Sequence, residues 1–108
     1  MAHSPIVFKL LDAEEAVAFG PYAAIANAIP DTVMVHVAGI VTNDKVQIWL
    51  NGEKDPTAAG AEDVQFGSDL TADGMTKVTT PAWWIRCKFS VKTGGGAITA
   101  TLSYQEAT

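Results

Sequence analysis

Trp83 to Lys92, WWIRCKFSVK, constrains the fold of this chain more than any other stretch. Side chains along a β-strand point alternately to opposite faces. Here Trp83, Ile85, Cys87, Phe89 and Val91 share one face, and Trp84, Arg86, Lys88 and Ser90 share the other. The first face belongs in a core. The second is cationic and polar yet carries a tryptophan, whose ring forgoes a large apolar contact if it stays in water, so this face reads as a contact surface. Similar short apolar runs recur along the chain with turn signals between them, the pattern of an all-β sandwich or barrel.

Ile6, Phe8 and Leu10 alternate with Val7, Lys9 and Leu11 in a first strand, and Ala16 to Phe19 forms a short second segment ended by Gly20 and Pro21. The alanine-rich stretch Tyr22 to Ala28 reads as an irregular or extended connection before Pro30 and Asp31. Val33, Val35 and Val37 then face one way and Met34, His36 and Ala38 the other, with Gly39 a bulge or kink. After a turn at Asn43 and Asp44, Val46, Ile48 and Leu50 point inward and Gln47, Trp49 and Asn51 outward, so these two strands are expected to form a hairpin. Asn51 to Ala61 is a polar loop, Val64 and Phe66 mark a short edge strand, and Asp73 and Gly74 mark a turn. The turn Thr93 to Gly96 leads into Ile98, Ala100, Leu102 and Tyr104, and the last two strands are expected to pair as a second hairpin. The expected fold is one mainly antiparallel β-sandwich over residues 1–108, jelly-roll-like, with six to eight strands and an extended amino-terminal arm at 1–7. A chain of this size buries roughly 65% of its unfolded surface, enough for a real core.

Twelve acidic against seven basic side chains give a net charge of −5, which opposes attraction to nucleic-acid phosphates. The longest apolar runs are far short of the about 20 residues of a membrane helix, so neither a nucleic acid nor a membrane is an expected partner. The start, MAHSPIVFKLL, lacks the basic and small-residue marks of a secretory signal, and synthesis in a cytoplasm is expected. His3, His36 and Cys87 lack zinc-motif spacing, no segment matches the acidic calcium loop, and no metal or cofactor is expected. Cys87 stands alone, which excludes an intrachain disulfide, and its inward position makes it a small buried hydrophobe rather than a nucleophile. The carboxylates fall in turns rather than on facing strands, and the glycine run at 94–96 precedes a strand rather than a helix. The chain therefore reads as non-enzymatic.

The expected contact residues are Trp84, Arg86 and Lys88 on one strand and Trp49 and Gln47 on another, with His36 as a further surface or interface residue. Full burial of one tryptophan ring is worth at most about 4 to 6 kcal/mol before ordering costs. Arg86 offers a planar fork to an acidic surface, and the arm offers a strand to a neighbour's sheet edge. Two other readings use the same residues: Trp49, Trp84 and Tyr22 as a sugar-stacking platform, or the tryptophans covered by a loop of the same chain.

The segment VQIWLNGEKD and, after a variable stretch, PAWWIRCKFSVKTGGGAITATLSY resemble small β-sandwich virion proteins of tailed bacteriophages. The resemblance rests on Pro81, on the Trp84, Ile85, Arg86 run, on the turn at 93–96 and on the alternating strand Ile98 to Leu102, and spans about the last sixty to seventy residues. Where that family has a glycine and aspartate turn followed by a tryptophan, this chain has Asn51, Gly52, Glu53, Lys54 and Asp55 and a longer insertion, and nothing before Thr32 matches. The resemblance implies a capsid decoration or cement protein on the outer surface of the virion head, a homotrimer whose partners are its own copies and the major capsid protein. A tail or fibre-associated component is the alternative of the same class, and a carbohydrate-binding module the alternative of another.

Overall fold

In a computed structural model, residues 5–57 and 62–107 are described. They form β1 (Ile6–Glu14), β2 (Ala18–Phe19), β3 (Ala23–Ala24), β4 (Met34–Ala38), β5 (Lys45–Asn51), β6 (Asp63–Leu70), β7 (Gly74–Lys77), β8 (Trp84–Val91) and β9 (Ile98–Tyr104). Every pairing between these strands is antiparallel, and the described residues contain no helix. One sheet has the order β1-β9-β4-β7, the other β2-β8-β5-β6, with β3 also beside β8. The chain changes sheet between consecutive strands except from β2 to β3 and from β5 to β6, which is a jelly-roll path through a two-layer sandwich. The two-residue β2 and β3 share one strand position next to β8, so nine strands fill eight places, against the six to eight expected.

The alternation read from sequence is what the core uses. Val35 and Val37 from β4, with Ile98, Ala100 and Leu102 from β9, meet Val46 and Ile48 from β5 and Ile85, Cys87 and Phe89 from β8, all essentially inaccessible to water. On β1 the register against β9 shifts between Lys9 and Leu11, and this bulge turns both Leu10 and Leu11 inward. Of the expected amino-terminal arm, residues 1–4 lie outside the described residues, while Ile6 and Val7 pair with Tyr104 and Ser103 of the same chain.

Four expectations give way. The strands before and after Asn43–Asp44 do not form a hairpin, because β4 pairs with β7 and β9 while β5 pairs with β6 and β8. Nor do β8 and β9 pair with each other across Thr93–Gly96. Each polar turn carries the chain from one layer to the other, so the apolar faces of the flanking strands meet across the core instead of lying side by side. Trp83 is not a core residue: it is 41% exposed and immediately precedes β8, its N–H donating to Asn51 O (3.0 Å) and its carbonyl accepting from Ile25 N (2.9 Å). The strand β7, beside β4, lies where only a turn was expected, because its residues show no apolar alternation and its one large apolar side chain, Met75, points to solvent.

Asp44 joins the two crossing turns. Its buried carboxylate accepts hydrogen bonds from the backbone of Thr93 (2.7 Å), Gly94 (3.1 Å) and Val41 (3.4 Å). The bond from Thr93 is the main cause that holds its pKa below the ordinary aspartate value; burial opposes this, and the bonds from Gly94 and Val41 assist. A carboxyl depressed on folding adds stability that is present above its unfolded pKa of about 4 and is lost as pH falls through the folded value. Asp44→Asn is therefore expected to lower the urea midpoint at pH 7, with the gap to wild type closing as the pH drops below about 4.

Gly20 closes the flank between the sheets. Its N–H donates to Cys87 O at 2.8 Å, and a Cβ at this position would lie 1.7 Å from the Leu10 carbonyl oxygen. Any side chain must push β1 away from β2. Gly20→Ala is expected to cost about 2 to 3 kcal/mol in chemical unfolding, whereas Gly95→Ala, whose Cβ would meet nothing within 4 Å, is expected to be near neutral.

Candidate functional site

The registers of β5 and β8 decide which outward side chains meet. Gln47 lies opposite Lys88, Trp49 opposite Arg86, and Asn51 opposite Trp84. On one flank β2 sets Phe19 opposite Lys88, and on the other β6 sets Gln65 opposite Trp49 and Asp63 opposite Asn51. Five of the expected contact residues, Gln47, Trp49, Trp84, Arg86 and Lys88, thus form one continuous outer face of the second sheet. His36 is elsewhere: it is exposed on β4 between Met75 and Thr101, on the outer face of the first sheet.

Asp63 organises this face. Its Oδ1 accepts from the Tyr22 hydroxyl (2.7 Å) and from Asn51 Nδ2 (3.0 Å), and its Oδ2 accepts from Arg86 Nε (2.7 Å) and pairs with Arg86 Nη2. Burial raises the Asp63 carboxyl, but the hydrogen bonds from Tyr22, Asn51 and Arg86 and the Arg86 charge outweigh it and hold the group below the ordinary aspartate value. Burial first, then the bond to Asp63, pushes the Tyr22 phenol up. The guanidinium of Arg86, already committed to Asp63, lies 3.8 Å from the centre of the Phe19 ring and 4.4 Å from that of Tyr22, close enough for cation–π attraction to both. Lys88 Nζ is 4.8 Å from the same Phe19 ring.

The tryptophans are half-buried by their own chain. Trp49 meets Phe19 edge-on, with centroids 6.2 Å apart, and its Nε1 donates to Gln47 Oε1 (3.0 Å). Trp84 meets Tyr22 in the same way at 6.2 Å, and its Nε1 donates to the Lys54 carbonyl (3.1 Å). Gln47 and Gln65 both donate to Asp69 Oδ1, at 3.0 and 2.8 Å. The polar groups of the face are satisfied internally, and what it offers outward is ring surface, the Lys88 ammonium and a rigid outline.

Sequence reasoning placed Asn51 outward beside Gln47 and Trp49 and grouped Tyr22 with Trp49 and Trp84 in the sugar-platform alternative, but it missed Phe19 and Asp63 as members of this face. Phe19 stands beside the Gly20–Pro21 break and reads only as the end of a short segment, and Asp63 sits 23 residues from Arg86 and 41 from Tyr22, beyond any local pattern. Arg86, expected to seek an acidic partner surface, finds its carboxylate at home. Cys87, behind the face, points into the core, and burial pushes its thiol up to about 12, so it stays protonated at neutral pH. No group of three or more histidine, cysteine, aspartate or glutamate side chains fit to hold a metal occurs among the described residues.

No protein-family model, no curated protein and no solved structure matches this chain.

Asp63→Asn removes the charge that balances Arg86 and leaves a partly buried guanidinium unpaired. It is expected to cost about 2 kcal/mol of stability and to bring the Tyr22 phenol back toward its ordinary value, both readable by urea unfolding and by ultraviolet titration of tyrosine. Tyr22→Phe, which removes one donor and keeps the ring, is expected to cost about 1 kcal/mol.

Proposed function

We propose that this chain is a non-enzymatic virion structural protein of a tailed bacteriophage, a decoration protein that docks on the outer surface of the head shell and reinforces it. Its partners on this reading are further copies of itself and the major capsid protein. The observation that carries the reading is the outer face of the second sheet: aromatic rings, a paired arginine and a lysine, drawn from β2, β5, β6 and β8, are fixed in position before any partner arrives. A surface ordered in advance loses little side-chain entropy on docking, the condition under which a small module binds firmly. The resemblance of the β5 and β8–β9 sequences to phage virion proteins adds the identity of the partner. The edge-on ring pairs, with both indole N–H groups already bonded within the chain, suit a protein surface better than the flat open rings on which a sugar stacks.

The test is co-sedimentation of the purified protein with undecorated heads, and separately with tails, of the phage that encodes it. Saturable retention on heads is expected, weakened about tenfold or more by Lys88→Glu, with the thermal midpoint of the free protein little changed. Retention on tails alone, or binding to a glycan array by a monomer with no retention on heads, would overturn the reading.

A further inference from the structure

The strand β1 is the edge of the first sheet, and among the described residues its partner is β9 alone. Exposed sheet edges are ordinarily blunted by charge, proline or a bulge, because an open row of backbone donors and acceptors invites another strand. On β1 those devices begin only at Lys9, followed by the bulge at Leu10 and Leu11 and by Asp12. The first three residues have none. Ile6, Val7 and Phe8 are 38%, 60% and 38% exposed, three consecutive apolar side chains at an unpaired edge. Ile6 and Phe8 share the face of Tyr104 and Leu102, toward the second sheet, yet both stay more than a third exposed. Val7 lies on the opposite face beside Ser103.

We infer that this edge pairs with the same edge of a second copy of the chain, β1 antiparallel to β1 about a two-fold axis at Val7. The occupant follows from the order of residues. In an isologous antiparallel pair centred on Val7, Val7 meets its own counterpart, Ile6 meets Phe8 of the second copy, and Lys9 meets Pro5, so every exposed apolar side chain is opposed by another on the same face and no like charges are opposed. Moving the axis to Phe8 sets Val7 against Lys9, and placing it between Val7 and Phe8 sets Ile6 against Lys9. Charge agrees with the Val7 axis as well. Asp12 lies five residues from it, so the two Asp12 side chains stand about 34 Å apart along the paired strands, and the acidic ends of β1 point away from each other. Proline, which has no N–H to donate, closes the pairing at each end. The contact joins the two first sheets edge to edge and leaves the outer face of both second sheets free, so it is separate from the surface assigned to the shell. It pairs copies in twos, where the resemblance implies threes. Three residues per strand cover less than the about 1,200 Å² of a firm interface, so pairing is weak in solution and strengthened where a lattice holds copies close together.

Two variants test both the surface and the register. Sedimentation velocity up to about 1 mM protein is expected to show a mass rising toward twice that of one chain, and Val7→Lys, at a position already largely in solvent, is expected to weaken that association at least tenfold with an unchanged thermal midpoint. Directly opposed cysteines in antiparallel strands lie within disulfide reach. Val7→Cys is therefore expected to cross-link into dimers under mild oxidation, while Val64→Cys, equally exposed on β6, does not. A strict monomer throughout the concentration range, equal cross-linking at both positions, or a trimer that Val7→Lys leaves intact and Val7→Cys does not cross-link would overturn the proposal. None of these outcomes depends on heads or tails, so the edge pairing and the shell docking fail separately.

Discussion

An apolar strand face is satisfied only against another apolar face, and this chain resolves that demand by sending successive strands to opposite layers. Val35 and Val37 need something to lie against, and the next strand supplies Val46 and Ile48 from across the core rather than from alongside. Everything else in the molecule follows from that crossing. The turns between β4 and β5 and between β8 and β9 come to the same end of the sandwich, and a buried carboxylate, Asp44, gathers the free backbone N–H groups of both. Gly20 is required because the path from β1 to the second sheet brings its backbone against the Leu10 carbonyl.

The crossing also builds the outer face of the second sheet. β5 and β8 are separated in sequence by β6 and β7, yet they are neighbours because the intervening strands occupy the far edges of the two sheets. Their adjacency sets Trp49 beside Arg86 and Gln47 beside Lys88, and the short β2 brings Phe19 onto the guanidinium from the other side. Asp63 then turns a row of outward side chains into a single network, in which the cation has its counter-charge and each indole N–H its acceptor. A buried or half-buried polar group left unpaired is costly, and a fully paired one rigidifies its surroundings. The face is accordingly stiff, with its apolar rings as its outward offering, whereas the first three residues of β1 are apolar and unsatisfied. The two surfaces differ in kind: one is complete and presents a shape, the other is an open edge.

Most inward and outward assignments of β4, β5, β8 and β9 were legible in the sequence because a strand encodes its faces in a two-residue period, and Ile85, Cys87 and Phe89 are as buried as their spacing requires, whereas Val91, expected inward, is 38% exposed beyond the register shift between β5 and β8. The all-β sandwich class was legible for the same reason. The partners of each strand were not. Asn43–Asp44 and Thr93–Gly96 are polar turns of a kind that serves either a hairpin or a crossing between layers, and only the packing of the whole core selects the crossing. Trp83 shows the limit of the period itself: the alternation that assigns it to the core runs one residue past the start of β8, and there the side chain is 41% exposed. Asp63 was invisible because its meaning lies in Tyr22, Asn51 and Arg86, which no local pattern connects to it. By itself, then, the sequence determined which side of each strand faces oil and which faces water, since that is a property of neighbouring residues. Tertiary structure alone decided which strands lie side by side, and with them the aromatic and cationic face and the open edge, since those depend on contacts between residues that the chain keeps far apart.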